Sequence, residues 1–147
     1  MSFFIADTSA IIAAYDSAAP QGARVRELLA TSVAVVSPLV LDEVDHLLVA
    51  RFGKDRHVAD PVLNDLVTSA EEGAALVPTV DHHDLRVAQK LIEQYRGLRL
   101  DLADAVNVVL AERYLTNAIL TLDEKDFRAV RPLTPVHAAF RLLIQDS

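Results

Sequence analysis

Four short apolar runs punctuate the chain, at Phe3 to Ala6, Val33 to Val36, Ala74 to Val77 and Ala118 to Leu122, and the segments between them carry apolar residues at helical spacing. A continuous apolar run of this length fits a strand buried on both faces of a parallel sheet, whereas a half-exposed strand would alternate. Runs of this kind alternating with helical segments predict an α/β fold. Ser37-Pro38 supplies an N-cap and a first-turn proline for a helix to about Ala50, with Val40, Val44, Leu47 and Leu48 inward and Gly53 ending it. Asp60-Pro61 repeats the device for a helix to about Glu72, stopped at Gly73, so residues 38 to 72 are expected to form a helical pair. Asp81 opens an amphipathic helix carrying Val87, Leu91 and Ile92 and ending near Gly97, and a helix from Asp101 to Leu115 precedes the fourth strand. The chain shows no internal repeat or linker, so residues 1–147 are expected to be a single domain, and the closing FRLLIQDS is too short to assign.

Composition narrows the class. Hydrophobic residues make up 52% of the 147, which excludes a disordered chain, and no apolar run approaches the ~20 residues of a membrane helix. The N-terminus goes directly into the first strand and is read as lacking a signal peptide. With no cysteine there is no disulfide frame and no thiolate metal site, which suits a reducing cytoplasm. The net charge of −7 argues against nucleic acid, since phosphate binding rests on a basic surface. That objection weakens if some of the acids hold divalent cations.

Four acids come from segments that can converge. Asp7 closes the first apolar run and Asp123 follows the fourth, in ILTLD, so both sit at the C-terminal edge of the expected sheet. Glu43, in LVLDEVDHLL, occupies the second turn of the helix after the second strand. Asp104, in LDLADAVNVVLAE, shares a helical face with Asn107, Val108 and Ala111. Carboxylates brought together at one edge repel and need a cation or a shared proton. Hard oxygen ligands without cysteine favour Mg²⁺ or Mn²⁺, which orient water and stabilise charge building on a phosphate, so the reaction class suggested is metal-assisted phosphodiester hydrolysis. Thr8, Ser9 and Thr121 stand beside these acids and are read as supporting them. Each acid also has a structural reading. Asp7 can cap a helix beginning near Ala10, Glu43 suits a helix start, Asp101 and Asp104 resemble a capping pair, and DEKD is turn-like.

The stretches ADTSAIIAAYD, SPLVLDEVDHLL, LADAVNVVLAERY and ILTLDEKDF, taken in order, resemble the PIN-domain ribonucleases, most closely the VapC toxins of bacterial toxin-antitoxin pairs. The resemblance implies a PIN-like three-layer α/β/α sandwich around a mainly parallel sheet of four to five strands. It also implies an acidic quartet of Asp7, Glu43, Asp104 and Asp123 binding Mg²⁺ or Mn²⁺. It further implies an endoribonuclease toxin that cuts structured cellular RNA such as tRNA or ribosomal RNA loops, works as a homodimer and is silenced by a cognate VapB-like antitoxin. Asp101 departs from the pattern, which has a small or apolar residue there.

For gripping RNA, the segment ARFGKDRH offers Arg51, Lys54 and Arg56 near the tip of the helical pair, although a solvated loop is the plainer reading. Asp81-His82-His83-Asp84 is read as an N-cap with surface histidines, because adjacent helical residues point about 100° apart. An aspartyl-phosphate phosphatase would want a second acid where Ser9 stands. A non-catalytic PIN scaffold, or a PIN nuclease acting on DNA or in RNA processing outside a toxin-antitoxin pair, are the alternatives to the toxin reading.

Overall fold

The computed structural model describes residues 2–146, and among them five strands form one sheet: β1 (Phe3–Ala6), β2 (Val33–Val35), β3 (Ala75–Leu76), β4 (Ala118–Leu120) and β5 (Arg141–Leu142). The seven helices are α1 (Thr8–Ala14), α2 (Gly22–Thr31), α3 (Pro38–Phe52), α4 (Ala59–Glu71), α5 (His82–Gln94), α6 (Leu102–Arg113) and α7 (Glu124–Ala129). All pairings are parallel, in the order β3-β2-β1-β4-β5. The architecture is the expected PIN-like α/β/α sandwich.

The apolar runs work as predicted because both faces of each central strand are covered. Phe4, Ala6, Ala34, Val36 and Leu120 pack with α1 to α4 in one core cluster, while Ile5, Val35, Ile119 and Leu142 pack with α5 to α7 in the other. Helix α6 is apolar on nearly every side, with Ala103 and all of Ala105 to Ala111 buried, as befits the central helix of its layer.

The chain winds from β1 through β2 to β3, then returns past β1 to lay down β4 and β5. The reversal falls between β1 and β4, and in open α/β sheets ligands bind at the carboxyl ends of the strands at such a switch point. The register places Ile5 opposite Ile119 and Ala6 opposite Leu120, so the next residues out are Asp7 and Thr121.

Several boundaries follow the local chemistry. Ser37 accepts a hydrogen bond from the Leu39 N–H (3.1 Å) with Pro38 at the first helical position, and Gly53, at φ 116°, ends α3. Asp81 and Asp84 form a reciprocal capping box on α5, and His82 and His83 are exposed. Two details differ from expectation. Helix α4 starts at Ala59, with Val58 rather than Asp60 at the cap position, because a first-turn proline forfeits no helical hydrogen bond and Asp60 is paired with Arg56 instead. The tail supplies β5, whose two residues complete the sheet edge beside β4. No helix among the described residues is long and apolar enough to cross a membrane.

Candidate metal centre

Asp7 continues the β1–β4 ladder one step beyond the strand, its N–H donating to the Leu120 carbonyl at 2.9 Å, while its own carbonyl accepts from Ile11 N–H to open α1. It therefore occupies the N-cap position of α1, yet its side chain makes no capping bond. The carboxylate turns across the switch point instead. Its Oδ2 accepts from Thr121 Oγ1 at 2.8 Å and from Ser9 Oγ at 3.3 Å. Ser9 Oγ in turn accepts from the Leu122 N–H (2.9 Å), and Thr121 Oγ1 accepts from the Asp123 N–H (3.0 Å). The two hydroxyls lie 3.2 Å apart and staple the turn after β1 to the turn after β4. Asp7 is buried, and burial raises its carboxyl above the usual range. The Thr121, Thr8 and Ser9 hydrogen bonds hold it down in part, and the Glu43 charge adds to the rise.

Asp104 is placed by α6, where Asp101 occupies the N-cap and accepts from the Asp104 N–H at 2.8 Å. The cap reading of Asp101 holds, and it frees the Asp104 carboxylate to face the crevice. Burial, with the negative charges of Asp7, Asp101 and Asp126, pushes Asp104 up to about 8. The leading charges acting on Asp7 and Asp104 are all carboxylates: Glu43 on Asp7, and Asp7, Asp101 and Asp126 on Asp104.

Glu43 is half-buried in the second turn of α3, within electrostatic reach of Asp7. Asp123 stands at the N-cap position of α7, exposed and without a capping bond. The residue that sequence reasoning passed over is Asp126. It lies in the first turn of α7, where burial and the Asp123 charge raise its carboxyl above the usual range and a hydrogen bond with Asp104 offsets part of the rise. The signal was present as an i, i+3 acid pair, but DEKD read as a turn; buried Phe127 anchors it as a helix.

Thr8 and Asn107 are both buried, and Thr8 Oγ1 and both amide atoms of Asn107 have no hydrogen-bond partner among the described residues. A buried unpaired polar group costs about 1–3 kcal/mol. Asn107→Leu, close in volume, is therefore expected to stabilise the metal-free fold by about 1–2 kcal/mol, read as a higher urea midpoint. An unchanged or lower midpoint would show that the amide is satisfied in solution.

The acids fit a hydrated divalent cation. The donors are all hard oxygens, and the leading charges on Asp7 and Asp104 are those of other carboxylates. Among the described residues no three acidic or histidine side chains gather closely enough to enclose an ion on their own. That suits Mg²⁺, which is held by one or two carboxylates and keeps several waters, for which Thr8 and Asn107 offer free partners.

The cations expected on the helical pair are differently disposed. Arg56, at φ 63°, is tied up by Asp45 (3.1 Å from Nη1) and Asp60, whereas Lys54 has no partner among the described residues. Arg51 lies over the Phe52 ring at 5.1 Å and 3.9 Å from Asp16.

A profile of the PIN domain family matches residues 4–132. Ribonuclease VapC26 of Mycobacterium tuberculosis (strain ATCC 25618 / H37Rv) is 42% identical over 135 residues, spanning 88% of this chain and 93% of that protein. Among solved structures, Mycobacterium tuberculosis VapC20, described as a sarcin-ricin loop cleaving toxin, superposes with a TM-score of 0.71 at 20% identity, covering 84% of this chain and 92% of that one.

Proposed function

The chain belongs to the PIN domain family, and from that premise we propose that it is a metal-dependent endoribonuclease toxin that hydrolyses phosphodiester bonds in structured cellular RNA. The observation that carries the reading is the pair of buried Asp7 and half-buried Asp104 at the sheet's switch point, each pushed up by burial and by neighbouring carboxylates. A scaffold has no use for such a pair, since one amide substitution would relieve the repulsion. Kinship with a VapC ribonuclease supports the toxin role.

Asp7, Glu43 and Asp104 would hold Mg²⁺ or Mn²⁺, with Asp123 and Asp126 closing the α7 side. When bound, such an ion supplies a polarised water and a positive charge opposite the phosphate. The chain's own residues do the rest. Thr121 and Ser9 fix the rotamer of Asp7 by filling Oδ2, leaving its other oxygen for the ion. Thr8 and Asn107 are available to orient the ion's water shell. Arg51 and Lys54 are proposed as outer contacts to RNA.

The same reading carries a cytoplasmic site of action, a VapB-like antitoxin and a homodimer. The exposed apolar side chains Tyr15, Leu47 and Phe52, along a groove between α1 and α3, offer a surface for a protein partner. The test is incubation of total cellular RNA with the purified chain and Mg²⁺ or Mn²⁺, with the ends mapped. Discrete cuts that EDTA abolishes are expected. No cuts under either metal, with the chain folded and free of antitoxin, would sink the nuclease reading.

A further inference from the structure

An acidic protein that cuts RNA needs cations where the phosphates lie, and the arginines can be sorted by what already occupies them. Arg24 pairs with Glu27, Arg51 with Asp16, Arg56 with Asp45 and Asp60, Arg113 with Asp84, and Arg128 with Glu124 and Asp146. Arg26 donates to the Ala14 carbonyl and Arg86 to Gln89. That leaves Arg96, Arg99, Arg131 and Arg141 with guanidinium groups unpaired among the described residues. Arg141 sits opposite Ala118, at the start of β4 and so at the sheet edge away from Thr121.

The other three lie on two segments that meet. Arg96 and Arg99 occupy and close the 3-10 turn Arg96–Leu98, and the Arg131 N–H donates to the Tyr95 hydroxyl at 3.2 Å, tying the segment after α7 to that turn. Both segments adjoin the acids. Arg99 stands two residues before Asp101, which caps α6, and Arg131 two residues beyond the end of α7, whose first turn sets Asp126 beside Asp104. Lys125, also without an ion pair, stands next to Asp126. Three arginines thus stand on the segments that adjoin the carboxylates, and none forms an ion pair with any of them among the described residues. Arg99 is held at φ 55°, where glycine is the easier residue.

The geometry points to Arg96, Arg99 and Arg131 as the phosphate-gripping rim of the site, which binds the RNA backbone beside the scissile bond on the α6–α7 side. The inference rests on the nuclease reading and specifies where its substrate is held. Guanidinium forks suit this work, since they hydrogen-bond phosphate oxygens in pairs, and standing clear of the carboxylates leaves those free for the cation.

The test uses the full chain in an Asp7→Asn background, which keeps RNA intact, and a fluorescein-labelled RNA hairpin with a single-stranded loop, titrated at several salt concentrations. The added triple variant Arg96→Gln, Arg99→Gln, Arg131→Gln is expected to lose about tenfold or more in affinity at low salt, and its log–log salt slope is expected to fall by about 2, at roughly 0.7 per lost contact. Arg99→Gly alone, which relieves the backbone, is expected to keep the melting temperature and drop the slope by about 0.7. The remote Arg141→Gln, at the sheet edge away from Thr121, is expected to change neither. Unaltered binding by the triple variant, an equal loss from Arg141→Gln, or a loss carried by Arg51→Gln, Lys54→Gln alone would overturn the rim while leaving the nuclease reading intact. A wild-type chain that neither binds nor cuts RNA would overturn both.

Discussion

Asp7→Asn is expected to lower metal-dependent RNA cleavage by on the order of 10³-fold or more, equivalent to about 4 kcal/mol of transition-state stabilisation, without unfolding the protein. The substitution nearly preserves shape. The amide oxygen can still accept from Thr121 and Ser9 at the Oδ2 position, so the staple between the turns after β1 and β4 survives. The Asp7 N–H to Leu120 bond belongs to the backbone and is untouched. What is lost is one negative charge at the most buried acid of the site. Initial cleavage rates in Mg²⁺ and Mn²⁺, compared with circular dichroism, separate the two effects. A folded variant retaining cleavage within tenfold of the wild type would remove Asp7 from the metal centre.

Asp104→Asn is expected to combine a comparable loss of cleavage with a gain in stability when metal is absent. The Asp104 carboxyl is pushed up to about 8 in the folded chain, against about 3.9 for an unperturbed aspartate, so the native state holds a proton that the unfolded chain has released. Stability of the EDTA-treated protein should accordingly fall as pH rises from about 4 to about 8 and level off above that, the reverse of the trend for a salt-bridged carboxylate. The asparagine variant should lose most of this dependence and exceed the wild type at pH 8 by on the order of 2 kcal/mol, once screening by solvent is allowed for. Saturating Mn²⁺ should stabilise the wild type and leave the variant little changed. Urea midpoints at pH 5 and pH 8, with and without Mn²⁺, decide the matter. A wild type equally stable at both pH values without metal would contradict it.

What could be read without coordinates was what depends on neighbours in sequence. Ser37-Pro38, Asp81 and Asp101 announced their helices because a cap acts within one turn, and the four strands announced themselves because burial on both faces leaves no polar alternation. Residues β5 contributes, Arg141 and Leu142, carry no pattern of their own and become a strand only by pairing with β4. Asp7, Glu43 and Asp104 were legible as acids at one sheet edge, but the position of Asp126 depends on whether four residues turn or coil. Which arginines are free was not legible at all. Arg56 reaches back eleven residues to Asp45 because the backbone turns left-handed at that point, whereas Arg131 is tied by its backbone N–H to the hydroxyl of Tyr95, the neighbour of Arg96.

The hydroxyl staple also bears on how the protein is made. Ser9 and Thr121 are separated by 112 positions, and β1 receives its β4 neighbour only when residues 118 to 120 are in place. During synthesis the first aspartate emerges early, but its hydroxyl partner and the acids of α7 follow more than a hundred residues later. A nascent chain whose residues 118 to 126 are still inside the ribosomal tunnel therefore carries no assembled acidic centre. Long-range parallel pairing, which slows folding, here also delays assembly of that centre until the fourth strand is in place.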